Sequence, residues 1–388
     1  MPHRKQLLVG AGAIAGAAAL LRLRRQRDDF ERVIALPGPR EPIEIARDGQ
    51  GIPHIRANSI TDLMFGLGYA TAEDRLWQLD ALHRAAFGRL AEIVGPSVLD
   101  VDKFMLTLGI RRASETEAAR LVGETKAALD RYAAGVNAYV TRKGPLLGAE
   151  FLFGRYPPLP WDAAASLGVL KIMGWTLDGF IEKLLLRDRI SDAIGEEWAS
   201  LLFNEDRSRT AGDPVVSSAA HAAFRARLSA VNEKLGQVAG VTSTIPGSNN
   251  WVVSGAHTAT GKPLLANDPH LGYTIPSVWY ECHLTAPGLN AAGATIPGVP
   301  GVAIGHNDRV AWGITATMYV QTDLYVEEID PDNRLRYRTE DGWAMMDRVV
   351  DIIPVKGQPD VEPHETRITR HGPIVTGLGE AKDETRAL

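Results

Sequence analysis

Gly247 and Ser248, followed by two asparagines, precede the apolar run Trp251–Val253 in the stretch PGSNNWVVSG. Hydrolases with a strand–turn–helix nucleophile carry Gly-x-Ser-x-Gly, and that pattern is absent around this serine. A serine hydroxyl attacks a carbonyl only when a base removes its proton. Cutting the Gly247–Ser248 bond would create an α-amino group, whose reference pKa of about 7.7–8.0 suits this role. The pattern therefore favours a serine that becomes a chain terminus.

The neighbouring residues suit a self-cleaving bond. The Ser248 hydroxyl can attack the carbonyl before it, and Gly247 permits a strained peptide conformation that a Cβ would hinder. A strand that begins immediately afterwards would hold the new terminus in place. Asn249 could donate a neighbouring hydrogen bond. A plain turn is the alternative, because short motifs of this kind often match by chance.

Helical patterns dominate the chain before this serine. The segment EPIEIARDGQGIPHIRA alternates apolar and polar residues around Asp48–Gly51 and predicts a β-hairpin. Thr61 and Asp62 are expected to cap a long helix, and further helices are predicted across 119–140 and 163–189.

Residues 211–247 are rich in Ala, Ser and Val and predict a linker or a weak helix. After Ser248, short β-rich runs separated by Gly, Asn, Asp and Pro predict antiparallel strands. The run GHNDRVAWG contains His306 and Asp308, a pair that suggests a metal site. Asn307-Asp308 between two apolar runs is more simply a hairpin turn, and we prefer that interpretation.

Composition narrows the function classes. The chain has 388 residues, 45% of them apolar, with a net charge of −5, which is typical of a globular protein without a basic face for nucleic acid. Cys282 is the single cysteine, so the chain can form neither an intrachain disulfide nor a cysteine metal cluster.

The first 30 residues are typical of a signal or anchor segment. Arg4 and Lys5 precede the uncharged run Leu7–Leu21, which suits a secretory segment but is shorter than the ~20 residues that span a bilayer. Arginines follow the run and oppose translocation. We expect an export signal or an uncleaved membrane tether, and a periplasmic or periplasm-facing location. The alternative is an amphipathic or disordered N-terminal segment that carries no targeting signal.

Several blocks, in a fixed order, resemble the penicillin acylase (penicillin amidase) family of N-terminal nucleophile hydrolases. The start of that family's nucleophile-bearing β subunit is similar to GSNNWVVSG, GKPLLANDPHLG, PSVWYECHLTAPG, GATIPGVPGVAIGHNDRVAWGITAT and TDLYVE. Its α subunit is similar to RDGQGIPHIRANSITDLMFGLGYATAEDRLWQLDALHRAAFGRLAEIVG. The resemblance implies an α+β fold, an αββα sandwich that is incomplete here, with a mainly helical N-terminal part.

The resemblance also implies a precursor that is cut into an α/β heterodimer. Residues 31–210 would be the α-subunit-like part, 211–247 a spacer that is removed, and 248–388 the N-terminal portion of the β subunit. The family's second oxyanion donor, an asparagine farther along the β subunit, would lie beyond Leu388. We therefore expect a fragment of a longer precursor, or a remainder on another chain.

Family roles transfer by resemblance to matching positions. Ser248 matches the nucleophile, its freed amine the base, and Gly247 the residue before the cut. His270, in NDPH, matches a position that holds Gln or His and would hydrogen-bond the Ser248 amine or hydroxyl; a surface turn is the alternative. Ala316, in GITAT, matches the residue whose backbone N–H helps to form the oxyanion hole; an ordinary strand alanine is the alternative.

The resemblance implies no required cofactor. Many members hold a structural calcium ion, and Asp323 matches one of its ligands. Val320 stands where another acidic ligand is expected, so this calcium site is expected to be incomplete.

The function implied is hydrolysis of a linear amide in an N-acylated small molecule, such as a β-lactam or an N-acyl homoserine lactone, through an acyl-enzyme on Ser248. His270 in place of Gln favours aliphatic or acidic acyl groups. Two alternatives stay open. One is a conventional serine hydrolase with His270 as its base, and the other is an inactive fragment or non-catalytic scaffold.

Overall fold

The computed structural model describes residues 32–178, 180–203, 218–239, 247–316, 322–375 and 385–387. Met1–Pro37 form a separate unit, and its described residues, 32–37, adopt neither helix nor strand. The predicted signal or anchor segment, 1–30, lies outside the described residues. Within the described part, no helix combines the length and the apolar character needed to cross a membrane.

Helices make up most of the described chain before Gly247. They are α1 (Ile60–Phe87), α2 (Ala91–Val94), α3 (Leu99–Leu108), α4 (Ile110–Arg120), α5 (Gly123–Lys143), α6 (Ala149–Gly154), α7 (Ala163–Asp178), α8 (Phe180–Ile194), α9 (Glu196–Leu202) and α10 (Ser218–Ala239). The helices predicted across 119–140 and 163–189 are present as α5 and as α7 with α8. The predicted cap of α1 is wrong by two residues, because the Ser59 hydroxyl accepts the Asp62 N–H at 3.1 Å.

Two glycines let α1 and α5 cross closely. A Cβ on Gly68 would overlap the carbonyl oxygen of Tyr132, and a Cβ on Gly135 would overlap that of Phe65. The Tyr132 side chain is buried, and its hydroxyl accepts the Gly298 N–H at 3.0 Å. The crossing therefore sets the position of a segment in the second half of the chain.

The segment 211–247, predicted to be a linker or a weak helix, contains the packed helix α10. Phe224, Leu228, Val231 and Leu235 recur at helical spacing, are buried, and join the core cluster that contains Phe104. The structure thus replaces the linker interpretation with a core helix for 218–239. The family resemblance implies that a spacer is removed from this region, whereas the burial of α10 favours its retention.

The strands of the described residues follow mainly after α10. They are β1 (Glu44–Arg47), β2 (Pro53–Arg56), β3 (Gly247–Val253), β4 (Leu264–His270), β5 (Tyr280–Ala286), β6 (Leu289–Thr295), β7 (Ile304–Asn307), β8 (Ala311–Trp312), β9 (Tyr325–Glu327), β10 (Arg336–Thr339), β11 (Gly342–Met345), β12 (Asp347–Ile353), β13 (Glu362–Ile368) and β14 (Thr385–Ala387). Six of them form one sheet in the order β1-β2-β5-β6-β7-β8, and the others pair as β3-β4, β9-β14, β10-β11 and β12-β13.

The main sheet joins the two halves of the chain. The predicted hairpin around Asp48–Gly51 is confirmed as β1-β2, and β2 runs parallel to β5 with Ile55 opposite Leu284. The predicted turn at Asn307 is confirmed as well, since its side-chain oxygen accepts the N–H groups of the two residues after Asp308 at 2.8 Å. The α+β class is confirmed. The αββα sandwich stays a prediction.

A buried histidine in α1 makes the fold sensitive to acid. His83 is 5% exposed and lies edge-on to the rings of Phe87 and Trp161. Burial, with Arg89 and Arg84 as smaller causes, lowers its pKa from 6.5 to about 3. The unfolded chain therefore takes up this proton first, and the stability that the neutral ring contributes is lost as pH falls from 6.5 towards 3.

We predict that His83→Gln removes this acid sensitivity. The free energy of unfolding of the unsubstituted chain, relative to the variant, should fall by about 2 kcal/mol between pH 6.5 and 5. Urea denaturation at the two pH values measures it. His257→Gln, at an exposed histidine, is the control for the substitution itself. A constant difference for His83→Gln would contradict the assignment.

Candidate active site

The predicted nucleophile lies at the start of an antiparallel ribbon. The antiparallel strands predicted after Ser248 are confirmed for β3 and β4, and the register places Gly247 opposite His270 and Ser248 opposite Pro269. Directly opposed residues share a face of a ribbon, and successive residues alternate between faces. The side chains of His270 and Asn249 therefore lie on one face, and the Ser248 side chain lies on the other.

His270 contacts the neighbours of Ser248 instead of its hydroxyl. The ring Nε2 atom lies 3.2 Å from Asn249 Nδ2 and 3.2 Å from Asp268 Oδ2. It donates to Asp268 when it carries a proton and accepts from Asn249 when it does not. A Cβ on Gly247 would lie 3.1 Å from His270 Nδ1, so glycine lets the ring lie close to the backbone that precedes Ser248. Of the two expected hydrogen bonds of His270, the one to the Ser248 hydroxyl is not formed in this arrangement, and the one to the freed amine stays a prediction.

The predicted oxyanion donor lies in a loop. Ala316 is exposed and follows β8 without belonging to a strand, so the alternative of an ordinary strand alanine does not hold. Within the described part of the chain, its N–H makes no hydrogen bond. The donor is therefore available to a ligand oxygen.

Asn267 connects this loop to the ribbon, a role that sequence patterns did not indicate. Its side-chain amide bonds to the carbonyl oxygen of Asn249 and to both the N–H and the carbonyl of Ile314. Asn267 is part of the NDPH motif, for which a surface turn is the alternative interpretation, and the motif lies in strand β4 instead. No local signal identifies these bonds, because the loop residue lies 47 positions away.

Within the described residues, the predicted calcium ligand Asp323 belongs to no group of potential metal ligands. Asp323 is exposed, and its carboxylate accepts the Leu324 N–H at 2.8 Å. Val320 lies outside the described residues. Within those residues, no three His, Cys, Asp or Glu side chains are grouped so that they could hold a metal ion. Because Ca²⁺ takes six to eight oxygen ligands, the described residues do not fit it, and we assign it no role.

Helices followed by strands, with a glycine–serine pair opening a ribbon, define a mixed helix-and-sheet protein with a candidate serine nucleophile. Residues 42–387 match the family described as penicillin amidase. The chain therefore belongs to the penicillin amidase family, as the sequence blocks predicted.

Named relatives of the chain are acylases. It is 31% identical over 369 residues to the acyl-homoserine lactone acylase QuiP of Pseudomonas aeruginosa, covering 91% of this chain and 42% of that protein. It is 34% identical over 351 residues to the penicillin acylase 2 proenzyme of a Pseudomonas species, covering 89% and 45%. The chain thus spans about half the length of the curated relatives it matches.

Among solved structures, the thermostable penicillin G acylase from Alcaligenes faecalis in tetragonal form is similar to part of the chain. The match has 27% sequence identity and a TM-score of 0.36, and it covers 45% of this chain and 98% of that one.

Proposed function

We propose that this chain carries the nucleophile of a self-processing amide hydrolase, with Ser248 as the first residue of a chain produced by scission. The observation that carries the proposal is the start of β3 at Gly247-Ser248, with His270 beside the bond to be cut. Membership of the penicillin amidase family supports it, and so does a relative that is named a proenzyme.

Scission would proceed by attack of the Ser248 hydroxyl on the Gly247 carbonyl. The C–N bond breaks as an ester forms on Oγ, and the nitrogen takes the hydroxyl proton. Water then hydrolyses the ester and leaves a carboxylate on Gly247 and a free amine on Ser248. The products are two chains whose atoms sum to the precursor plus one water.

The freed amine would act as the base for amide hydrolysis. It accepts the Oγ proton as the hydroxyl attacks the substrate carbonyl, and the Ala316 N–H donates to the oxyanion. The proton then passes to the leaving amine as the acyl-enzyme forms. Water hydrolyses that ester and regenerates the Ser248 hydroxyl.

We assign His270 to the amine rather than to the hydroxyl. The ring lies over Gly247, the residue that departs, and the new amine faces the space that this residue leaves. The ring is on the opposite face of the ribbon from the Ser248 side chain. This placement argues against a conventional serine hydrolase, in which His270 would take the proton from the hydroxyl directly.

The two products would stay together as an α/β heterodimer. The pairing of β2 with β5 crosses the point of scission, and the Tyr280 hydroxyl donates to Asp74 Oδ2 at 2.8 Å while Arg47 pairs with the same carboxylate at 2.7 Å. Lys103, before the point of scission, and Glu362, after it, form an ion pair at 2.8 Å. Hydrogen-bonded strands and partly buried ion pairs hold the pieces without a covalent link.

The substrate class in this proposal is an N-acylated small molecule, in line with the penicillin and acyl-homoserine lactone acylases among the relatives. The proposed location is the periplasm or its membrane face. That part of the proposal rests on the charge-flanked apolar run Leu7–Leu21 alone.

Intact-mass measurement tests the proposal. The purified chain should yield a fragment that begins at Ser248, and Edman sequencing should read Ser-Asn-Asn-Trp. Ser254→Ala, a nearby serine outside the predicted bond, should be cut normally. A chain that stays intact while it hydrolyses amides would overturn the proposal.

The mass of the other fragment reports the fate of α10. Its four buried apolar side chains each stabilise the core by about 1.5–3 kcal/mol. We therefore expect the N-terminal fragment to end at Gly247 and to retain α10. An N-terminal fragment that lacks 211–247 would show instead that the spacer is removed, as the family resemblance implied.

A further inference from the structure

Asn267 lies on the same side of the ribbon as the nucleophile. It is directly opposite Asn250, one pair away from the pair that contains Asn249 and two pairs away from Ser248. Because side chains alternate along each strand, the Asn267 side chain shares the face of Ser248 and points away from His270. Asn267 therefore lies on the side of the ribbon on which a substrate would meet the hydroxyl, and its role there rests on the proposed function.

The Asn267 amide uses most of its hydrogen-bonding capacity on backbone atoms. Its Nδ2 donates to the carbonyl oxygen of Asn249 at 2.9 Å and to that of Ile314 at 3.0 Å. Its Oδ1 accepts the Ile314 N–H at 3.0 Å. Two carbonyl acceptors and one N–H donor fix the orientation of the amide, because the flipped amide would place oxygen against oxygen.

In the loop that follows β8, the Asn267 side chain makes the hydrogen bonds that a neighbouring strand would otherwise make. Ile314 belongs to no strand, yet its N–H and carbonyl both bond to one amide, as they would to a neighbouring backbone. Gly313 makes the approach possible, since a Cβ there would lie 2.7 Å from Asn267 Cβ and 2.9 Å from Oδ1. The loop backbone at Gly313 and the Asn267 side chain are therefore in close contact.

These bonds link the two parts of the proposed active site. Asn249 follows Ser248 directly, and Ala316 lies two residues after Ile314. We infer that Asn267 is a positioning residue that holds the Ala316 N–H at a fixed distance from the Ser248 hydroxyl. Its amide touches neither the substrate carbonyl nor the reacting oxygen. It acts through the backbone of Asn249 and of Ile314. Without it, the Ala316 N–H would move relative to the Ser248 hydroxyl.

An aspartate at position 267 distinguishes the effect of the amide's hydrogen bonds from the effect of side-chain packing. Asn267→Asp keeps the shape of the side chain and the acceptor for the Ile314 N–H, but it places an oxygen against the carbonyls of Asn249 and Ile314. Lone pairs that face each other repel, so the loop would move away from β3. Asn250→Asp is the matched control, because Asn250 has the same side chain on the same face and, within the described residues, makes no side-chain hydrogen bond to the loop.

Labelling with phenylmethanesulfonyl fluoride provides the test without knowledge of the substrate. The Ser248 Oγ forms a bond to sulfur, fluoride leaves, and the hydroxyl proton goes to the freed amine, while a sulfonyl oxygen occupies the site of the oxyanion. The rate is followed by intact mass on the cut chain. Scission is measured first, and circular dichroism with thermal melting checks that each variant is folded.

We expect Asn267→Asp to slow labelling by about 10- to 100-fold, because a displacement of about 1 Å costs rate on this scale. Asn250→Asp should stay within about twofold of the unsubstituted chain. If Asn267→Asp fails to fold, Gly313→Ala tests the same contact from the loop side and should slow labelling in the same way.

The outcomes separate this inference from the proposed function. Normal scission and labelling in the folded Asn267→Asp variant would overturn the positioning role and leave Ser248 as the nucleophile. Equal slowing by Asn250→Asp would overturn it too, since added negative charge would then explain the effect. Absence of both scission and labelling in the unsubstituted chain would overturn the proposed function and this inference with it.

Discussion

Replacing Ser248 with alanine is expected to leave the chain in one piece and to lower kcat/KM for amide hydrolysis on the order of 10⁶-fold. The hydroxyl oxygen of Ser248 is the attacking atom in both reactions. Its removal therefore abolishes scission as well as amide hydrolysis. The loss should be far larger than that of any other single substitution near the ribbon, because no neighbouring side chain can replace the nucleophile. Hydrolysis of an N-acyl p-nitroanilide, followed by release of nitroaniline, measures the rate.

Two comparisons make this result specific to Ser248. Ser254→Ala, with its hydroxyl at the start of a short 3₁₀ turn, should keep the full rate. Acetylation of the new α-amine, located by mass spectrometry, should abolish hydrolysis, because the acetylated nitrogen no longer accepts a proton. Full activity after that acetylation would favour a conventional serine hydrolase with a side-chain base.

Short-range features of this fold could be predicted because their causes are local. The turn at Asp48–Gly51 follows from an aspartate whose side chain accepts two backbone N–H groups, and Asn307 plays the same part before β8. Both residues are visible in the sequence next to the strands that they connect. The start of α1 was less certain, since Ser59 and Thr61 are both competent caps and only one of them is used.

Long-range pairing had no comparable signal. Nothing in the sequence of β2 indicates that it will lie parallel to β5, more than two hundred residues later. The same is true of Asn267, whose partners are backbone atoms that any residue could supply. The face that carries His270 depends on the register of the ribbon, which the pattern around Ser248 did not fix.

The helical spacing of the buried residues of α10 is present in the sequence, although the composition of the segment favours a linker. Phe224, Leu228, Val231 and Leu235 are spaced by four, three and four residues, a period that predicts one helical face. The charged and polar residues between them, among them Arg225, Arg227 and Glu233, lower the mean hydropathy of the segment. Composition alone led to the interpretation of a linker or a weak helix, whereas the spacing of these four residues accounts for both the helix and its burial.

The close crossing of α1 and α5 gives the largest expected effect on stability. Alanine normally stabilises the interior of a helix by about 1 kcal/mol relative to glycine. At Gly68 and Gly135 the sign should reverse, because the added Cβ overlaps a backbone carbonyl oxygen that no side-chain rotation can move. We expect Gly68→Ala and Gly135→Ala each to lower the free energy of unfolding by about 3 kcal/mol, measured by urea denaturation.

Gly174 supplies the matched control, because it lies within α7 and a Cβ there would meet nothing within 4 Å. Gly174→Ala should raise the free energy of unfolding by up to about 1 kcal/mol. If Gly68→Ala were as stable as Gly174→Ala, the two helices would not be in close contact.

The double variant Gly68→Ala/Gly135→Ala tests whether the two glycines share one contact. Once the first Cβ has pushed α1 and α5 apart, the second meets less resistance, so the combined loss should be smaller than the sum of the single losses. Separation of the helices would also move the Tyr132 hydroxyl away from the Gly298 N–H. Faster hydrogen exchange at the Gly298 amide, measured in the single variants, would show that the displacement reaches the second half of the chain.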